Sequence, residues 1–186
     1  MGDPISPAMT IAACAHVEKR WISARSDTEK KHIRARRYMD DILFIYVQNE
    51  AYDYQTMVQQ LKTECYTKPL ELESGSDGIF LETEFEIRNN KFRYWLKNAN
   101  AKEKKIWRYQ HWYSHASYQQ KRALARSCLR RVHGMACDNE AIMKVAREKI
   151  REFKDIGYPY WLLKRACAYV ATVEKDPIWS HIRKEI

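Results

Sequence analysis

The chain has 186 residues, 45% of them apolar, which is enough for one full domain or two small ones with a buried core. Its 33 Lys and Arg against 24 Asp and Glu give a net charge of +9, which favours an anionic partner, nucleic acid before membrane. No run of about 18 apolar residues could span a membrane, and the five cysteines form no Cys-x-x-Cys pair. We therefore expect a soluble intracellular protein with reduced thiols and no membrane partner.

The N-terminal segment Gly2-Asp3-Pro4-Ile5-Ser6-Pro7 ends in two residues that favour the start of a helix. Ser6 is a good N-cap and Pro7 suits the first helical position, so a helix is predicted from Pro7 to about Ile22. Its alanine-rich face would allow close approach of a substrate, although tight core packing explains the alanines equally well. The polar segment Ser23 to Arg34 is predicted to be an exposed connector.

Two adjacent carboxylates, Asp40 and Asp41, lie between Tyr38-Met39 and the apolar run Ile42 to Val47. Because that run consists of strand formers, the pair is expected at the tip of a β-hairpin. Adjacent carboxylates repel each other and are costly to desolvate, so a bound cation would stabilise them, and magnesium prefers such oxygen ligands beside phosphate. A turn that only joins two strands is the alternative.

The next segments show one helical pattern followed by three strand patterns. Glu50 to Cys65 carries apolar residues at helical spacing, and Leu70 to Glu73, Ile79 to Ile87 and Phe92 to Leu96 alternate as strands around an Asn89-Asn90 turn. Charge is distributed unevenly: residues 50–87 contain nine acidic and two basic side chains, whereas residues 88–134 contain thirteen basic and one acidic. The second window therefore favours contact with phosphates.

Basic and aromatic residues are interspersed between Lys97 and Ser117 without a regular period. Cations neutralise phosphates and flat rings stack on unpaired bases, so this segment favours nucleic-acid binding over an ordinary exposed loop held by a few buried rings. The residues expected to make those contacts are Lys102, Lys104, Lys105, Trp107 and Arg108.

Three helices are predicted after Ser117, which forms a capping box with Gln120. On the first, Leu124, Cys128 or Leu129, and Val132 mark the buried face. The basic residues expected on its outer face are Lys121, Arg122, Arg126, Arg130 and Arg131. Asp138 caps the second helix, which ends at Gly157. Pro159 starts the third helix, whose apolar side chains up to Val173 are expected to face inward, and Asp176-Pro177 stops it.

Two pairs of His and Cys residues have the four-residue spacing that places zinc ligands on one face of a helix: His111 with His115, and His133 with Cys137. The first pair precedes the predicted helix and Gly134 interrupts the second, so a zinc site is disfavoured.

Tyr38-Met39-Asp40-Asp41 resembles the YxDD catalytic motif of reverse transcriptases, and Gly2 to Pro7 resembles their upstream GxPxSP box. Phe80 to Thr83 is similar to the segment that leads to the primer grip of these enzymes, and Gly157-Tyr158-Pro159 is similar to a turn in Penelope-like retroelement enzymes. The resemblance implies an α+β fold in which residues 1–96 are part of a palm, 97–116 a basic aromatic connector and 117–186 a helical thumb.

For function, the resemblance implies RNA-directed DNA polymerase chemistry with two Mg²⁺ or Mn²⁺ ions at Asp40 and Asp41. The implied partners are an RNA or DNA primer-template and a deoxynucleoside triphosphate. The residues implied to lie beside the primer or the nucleotide are Gly2, Pro4, Ser6, Pro7, Tyr38 and Met39. The implied nucleic-acid contacts on the first thumb helix are Lys121, Arg122, Arg126 and Arg130.

Such enzymes also use an earlier Asp and a fingers segment, neither of which precedes Gly2, and Met1 stands where they usually have Gln. We therefore expect the chain to be the later part of a palm with its thumb, inactive on its own. The alternatives are a nonenzymatic RNA- or DNA-binding remnant of a retroelement and an unrelated basic α+β domain.

Overall fold

The computed structural model describes residues 6–47, 53–68, 71–73, 78–97 and 108–186. Predictions for residues 1–5, 48–52, 69–70, 74–77 and 98–107 lie outside these residues. Within the described ranges the protein is mixed α+β, with two small antiparallel sheets and seven α-helices. The helices are α1 (Ser6–Ser23), α2 (Asp27–His32), α3 (Tyr54–Gln60), α4 (Tyr118–Gly134), α5 (Asn139–Asp155), α6 (Tyr160–Glu174) and α7 (Ile178–Glu185). The strands are β1 (Ile33–Tyr38), β2 (Asp41–Tyr46), β3 (Ile79–Phe80), β4 (Thr83–Arg88) and β5 (Lys91–Leu96).

The chain divides into two compact units, Met1–Leu81 and Glu82–Ile186. This division differs from the expected boundary at residue 96, because the β4–β5 hairpin belongs to the helical unit. Leu96 is buried in the core of that unit, and the Tyr94 carbonyl accepts a hydrogen bond from the Cys137 backbone N–H at 3.0 Å.

In the first unit, the predicted helix and hairpin are confirmed. The two strands β1 and β2 pair antiparallel from Ile33↔Tyr46 to Tyr38↔Asp41. Side chains alternate across a strand, so Phe44 and Tyr46 of β2 lie on the same inner face as the buried Ile33 of β1. These inner side chains pack around a small core whose buried members are Trp21, Ile33, Met57, Leu61, Cys65 and Tyr66.

The connector prediction for Ser23 to Arg34 is wrong in part, because this stretch contains α2. The Ser26 hydroxyl accepts a hydrogen bond from the Glu29 backbone N–H, and the Glu29 carboxylate accepts one from the Ser26 backbone N–H. This capping box is a helix start signal that the sequence carries.

The segment between residues 54 and 88 departs from the predictions at three points. Helix α3 continues as a π-helical segment, Leu61–Cys65, instead of remaining α-helical. Residues 71–73, expected to be part of a strand, have no regular structure. The long strand predicted from Ile79 is interrupted at Leu81, whose φ of 55° is incompatible with extended backbone. The Asn89-Asn90 turn is confirmed, and both residues have positive φ, as a two-residue type I′ hairpin turn requires.

In the second unit, α4, α5 and α6 occur where the caps predicted them, and their apolar faces form the larger core. Val173, expected inside, is exposed. Helix α6 ends before Asp176-Pro177, as predicted, and the chain then forms α7, which was not predicted. Asp176 accepts a hydrogen bond from the Ile178 backbone N–H, and Trp179 and Ile182 are both buried. Across the described residues, we find no helix with the length and apolar character needed to cross a membrane.

Candidate functional site

The tip of the β1–β2 hairpin carries the adjacent aspartates. Because Tyr38 pairs with Asp41, the turn consists of only two residues, Met39 and Asp40. Met39 has a φ of 52°, a conformation that two-residue turns normally assign to glycine. A side chain held in this region stores roughly 1–3 kcal/mol of strain, and such strain is concentrated at functional sites.

Both carboxylates are exposed, as are Tyr38 and Met39 beside them. Among the residues that the structure describes, no Lys or Arg forms an ion pair with Asp40 or Asp41. Their charges are therefore available to a cation from solvent. Two carboxylates supply hard oxygen ligands of the kind magnesium binds, and the remaining positions of its octahedral shell would be filled by water or phosphate oxygens.

A polar cluster beneath the turn, the Glu18–Arg37–Tyr66 cluster, holds the strained residue in place. The Arg37 Nη1 donates to the Met39 carbonyl oxygen at 2.8 Å, and Arg37 Nε donates to Glu18 Oε1 at 2.8 Å. Arg37 Nη2 also donates to Glu18 and to the Tyr66 hydroxyl, and that hydroxyl donates to Glu18. Helix α1, strand β1 and the residue after the π-helical segment thus meet below the Met39–Asp40 turn.

Burial and hydrogen bonding fix the charges in this cluster. Burial is the largest influence and opposes the charged form of Arg37, but the hydrogen bond to Glu18 and the charge interactions with Tyr66 and Glu18 together outweigh it, so the pKa of Arg37 is raised. Burial and the hydrogen bond to Glu18 both raise the pKa of Tyr66, which therefore stays a neutral hydroxyl. Burial likewise raises the pKa of the neighbouring Cys65 thiol to about 11, so this cysteine is not a reactive thiolate at neutral pH.

The remaining residues expected near the nucleotide are only partly described. Ser6 and Pro7 form the first turn of α1, and Gly2 and Pro4 lie outside the described residues. The structure brings together Tyr38, Met39, Asp40 and Asp41. In the described ranges no group of three or more His, Cys, Asp or Glu side chains is placed to hold a metal ion.

The expected nucleic-acid contacts give a mixed result. Lys102, Lys104, Lys105 and Trp107 lie outside the described residues, and Arg108 is exposed. The prediction that Lys121 faces outward is wrong: its side chain is 8% exposed, and its ammonium group donates to the Ser114 carbonyl at 2.7 Å. Lys121 therefore fixes the loop before α4 instead of facing a ligand.

Two rings of the basic aromatic segment also belong to the core. Tyr109 stacks on Phe153 at 4.9 Å between ring centroids, and Trp112 meets the edge of Tyr158 at 5.4 Å. For these two residues the alternative of a loop held by buried rings is correct, and neither is free to stack on a base.

Arg122, Arg126 and Arg130 lie together on the face of α4 that borders α6. Arg126 lies over the ring of Tyr169 at 4.4 Å, and Arg130 Nε donates to Glu174 at 2.6 Å. On α6 the structure adds Arg165 and Tyr169, which the sequence analysis missed. The four-residue spacing of Trp161, Arg165 and Tyr169 on one helical face is the signal that could have identified them.

No known protein family matches this sequence, and the comparisons with curated proteins and with solved structures found no match either.

Proposed function

We propose that this chain is part of a reverse transcriptase, an RNA-directed DNA polymerase that uses two-metal nucleotidyl transfer. The observation that carries the proposal is the exposed Asp40–Asp41 pair on a two-residue hairpin turn in which Met39 has a positive φ. The two adjacent carboxylates are exposed, no Lys or Arg of the described residues is paired with them, and Arg37 holds the turn from below, so the tip is available to bind a cation.

In this proposal Asp40 is the principal ligand and Asp41 a weaker one. When magnesium is bound there, it supplies the positive charge that lowers the pKa of a primer 3′-hydroxyl and neutralises a leaving pyrophosphate. The exposed side chains of Tyr38 and Met39 would then flank the primer end. Arg37 donates to the Met39 carbonyl and therefore restrains the backbone of the turn that carries Asp40.

The first unit corresponds in this proposal to part of a palm, and the helical bundle α4 to α7 to a thumb. The second unit has 23 Lys and Arg against 12 Asp and Glu, a net +11, whereas the first has 10 against 12, a net −2. Phosphate binding is thus assigned to the unit that contains the helical bundle, and metal binding to the hairpin.

The test of the metal site is a Mn²⁺ titration of the full chain followed by electron paramagnetic resonance. Asp40→Asn is expected to weaken Mn²⁺ binding at least tenfold, since it removes a charged ligand while keeping the side-chain shape. The matched control is Asp27→Asn, because Asp27 is an exposed aspartate on α2 that pairs with Lys30 at 3.4 Å. Equal Mn²⁺ affinity in the Asp40 and Asp27 variants would contradict the proposal.

A primer-extension assay tests the same proposal at the level of activity. Two ions need about six ligands each, and two carboxylates supply only a fraction of them. We therefore expect no extension by this chain alone with Mg²⁺ or Mn²⁺. We also expect it to bind primer-template with an affinity that falls steeply as salt increases. Robust extension by the chain alone would contradict the expected incompleteness.

A nonenzymatic RNA- or DNA-binding protein is the second candidate, favoured by the charge of the second unit, which is independent of the aspartates. The two candidates differ in the hairpin. If primer-template binding persists while Mn²⁺ binding is absent from the wild-type chain, the second candidate is correct.

A further inference from the structure

Helices α4 and α6 enclose a groove, the α4–α6 groove, whose walls carry two rows of side chains at four-residue spacing. The α4 row is Tyr118, Arg122, Arg126 and Arg130, and the α6 row is Trp161, Arg165 and Tyr169. Two hollows of about 490 and 440 Å³ follow the groove. At 1.5 Å per residue, the α4 row spans roughly 18 Å, which is long enough for several nucleotides.

The two rows lie in register because the helices run parallel. Tyr118 stacks on Trp161 at one end with 6.0 Å between ring centroids. Arg126 and Tyr169 meet in the middle, and Arg130 pairs with Glu174 at the other end. Rings and guanidinium groups therefore line the groove together, and the Glu174 carboxylate lies at its far end.

Three guanidinium groups in the groove are available to an anion. Among the described residues, no carboxylate pairs with Arg122, Arg126 or Arg165. Arg126 Nε is buried and meets no hydrogen-bond acceptor in the described part of the chain. Arg126 and Arg165 lie over the rings of Tyr169 and Trp161, and a guanidinium in this position keeps the N–H groups at its edge for hydrogen bonds to an oxyanion in the groove.

The exposed rings indicate which phosphate-bearing partner fits. Trp161 is 48% exposed and Tyr118 is 41% exposed, although both are large apolar rings at the edge of a strongly basic surface. A base can stack on such a ring only when it is not already stacked and paired inside a duplex. We propose that the α4–α6 groove binds a single nucleic-acid strand with unpaired bases. Its phosphates lie against Arg122, Arg126 and Arg165, and a base stacks on the Tyr118–Trp161 pair.

This inference deepens the nucleic-acid binding of the proposed function and rests on it. A strand held in this way is distinct from the duplex of the primer-template. The groove would take an unpaired template or product segment next to that duplex.

Fluorescence anisotropy of the full chain with a short labelled strand, alone or annealed to its complement, tests the inference. The unpaired strand is expected to bind at least fivefold more tightly than the duplex. Arg122→Gln and Arg165→Gln should each reduce that affinity severalfold and lower the slope of log affinity against log salt by about one. The matched control is Arg151→Gln, an exposed arginine on α5 outside the groove, which is expected to leave the affinity within about twofold.

An abasic strand of the same length separates stacking from charge. Trp161→Leu should weaken binding of the normal strand by roughly fivefold or more, because a stacked base is lost, and should leave binding of the abasic strand unchanged. Circular dichroism of each variant confirms that the helices are retained.

Each outcome decides one of the two proposals. If the duplex binds as tightly as the single strand, or if the groove variants match Arg151→Gln, the single-strand inference is wrong while nucleic-acid binding stands. If neither probe binds at low salt, the nucleic-acid part of the proposed function fails with it.

Discussion

Replacing Arg37 tests whether the Glu18–Arg37–Tyr66 cluster holds the hairpin tip. The Arg37 side chain is 13% exposed and Glu18 is 29% exposed, so solvent screens their ion pair only in part. Arg37→Gln removes the charge and the fork of donors that reaches Glu18, Tyr66 and the Met39 carbonyl at once. The variant leaves a partly buried carboxylate without its cation.

The expected loss follows from those contacts. Hydrogen bonds to a charged partner contribute about 1.5–3 kcal/mol each, but they are not additive here, because the contacts share one side chain and Glu18 retains access to water. We expect Arg37→Gln to destabilise the first unit by about 2–3 kcal/mol. Arg37→Lys should lie between this variant and wild type, since an ammonium keeps the charge but cannot reach three acceptors in one plane.

Urea unfolding combined with hydrogen exchange of the β1–β2 segment measures this loss. The matched control is Arg36→Gln at the neighbouring strand residue, whose guanidinium donates to the adjacent Ala35 carbonyl at 3.0 Å and to no carboxylate of the described residues. It should change stability by less than about 0.5 kcal/mol. The reasoning is refuted if Arg36→Gln and Arg37→Gln destabilise the hairpin equally, or if Arg37→Gln leaves its exchange rates unchanged.

Three further predictions concern backbone strain and a helix cap. Met39→Gly should stabilise the hairpin by up to about 1 kcal/mol in urea unfolding, because it removes the side chain that its positive φ disfavours, whereas Met39→Val should destabilise it. Asp138→Ala should lower the stability of the second unit by about 1 kcal/mol, and Asp138→Asn by less, since Asn also caps helices. A backbone hydrogen bond and the Arg93 guanidinium lower the pKa of Asp138. Its stabilisation is therefore present above the unfolded pKa of about 3.9 and lost as the pH falls through the folded value, so thermal midpoints of wild type and Asp138→Asn should converge in acid. Gly157→Ala should lower the thermal midpoint by several degrees, because φ is 89° there and a Cβ would lie 3.3 Å from the Tyr113 ring; an unchanged midpoint would contradict this.

Local signals predicted most of the elements. The hairpin that carries Asp40 and Asp41 at its tip was predicted from the apolar run of β2, and the starts of α4 and α5 were predicted from the caps at Ser117 and Asp138. Each of these signals acts within a few residues of the chain, so the sequence alone contains it. Helix α2 could have been predicted from the same kind of local signal, since Ser26 and Glu29 form a capping box at its start.

The candidate site was predicted only where its residues are neighbours in sequence. Glu18 and Tyr66 lie 19 and 29 positions from Arg37, so no local pattern connects them to the turn. The burial of Lys121 was not predicted, because helical periodicity indicates the direction of a side chain but not whether a loop covers it. The loop that contains Ser114 covers Lys121. A lysine stem can be buried while its ammonium reaches a carbonyl, and hydrophobic patterning does not register this possibility.

The polar cluster carries more of the stability of the first unit than a similar cluster would in the second. Within the described residues, six side chains form the buried core of the first unit, against nineteen in the second. The apolar side chains of β2 from Ile42 to Tyr46 are only half-buried, so burial alone stabilises the hairpin weakly. Polar contacts to helix α1 then hold the strand, and loss of Arg37 removes several of them together. If cation binding at Asp40 depends on the turn, it should weaken in Arg37→Gln even though Arg37 touches neither carboxylate.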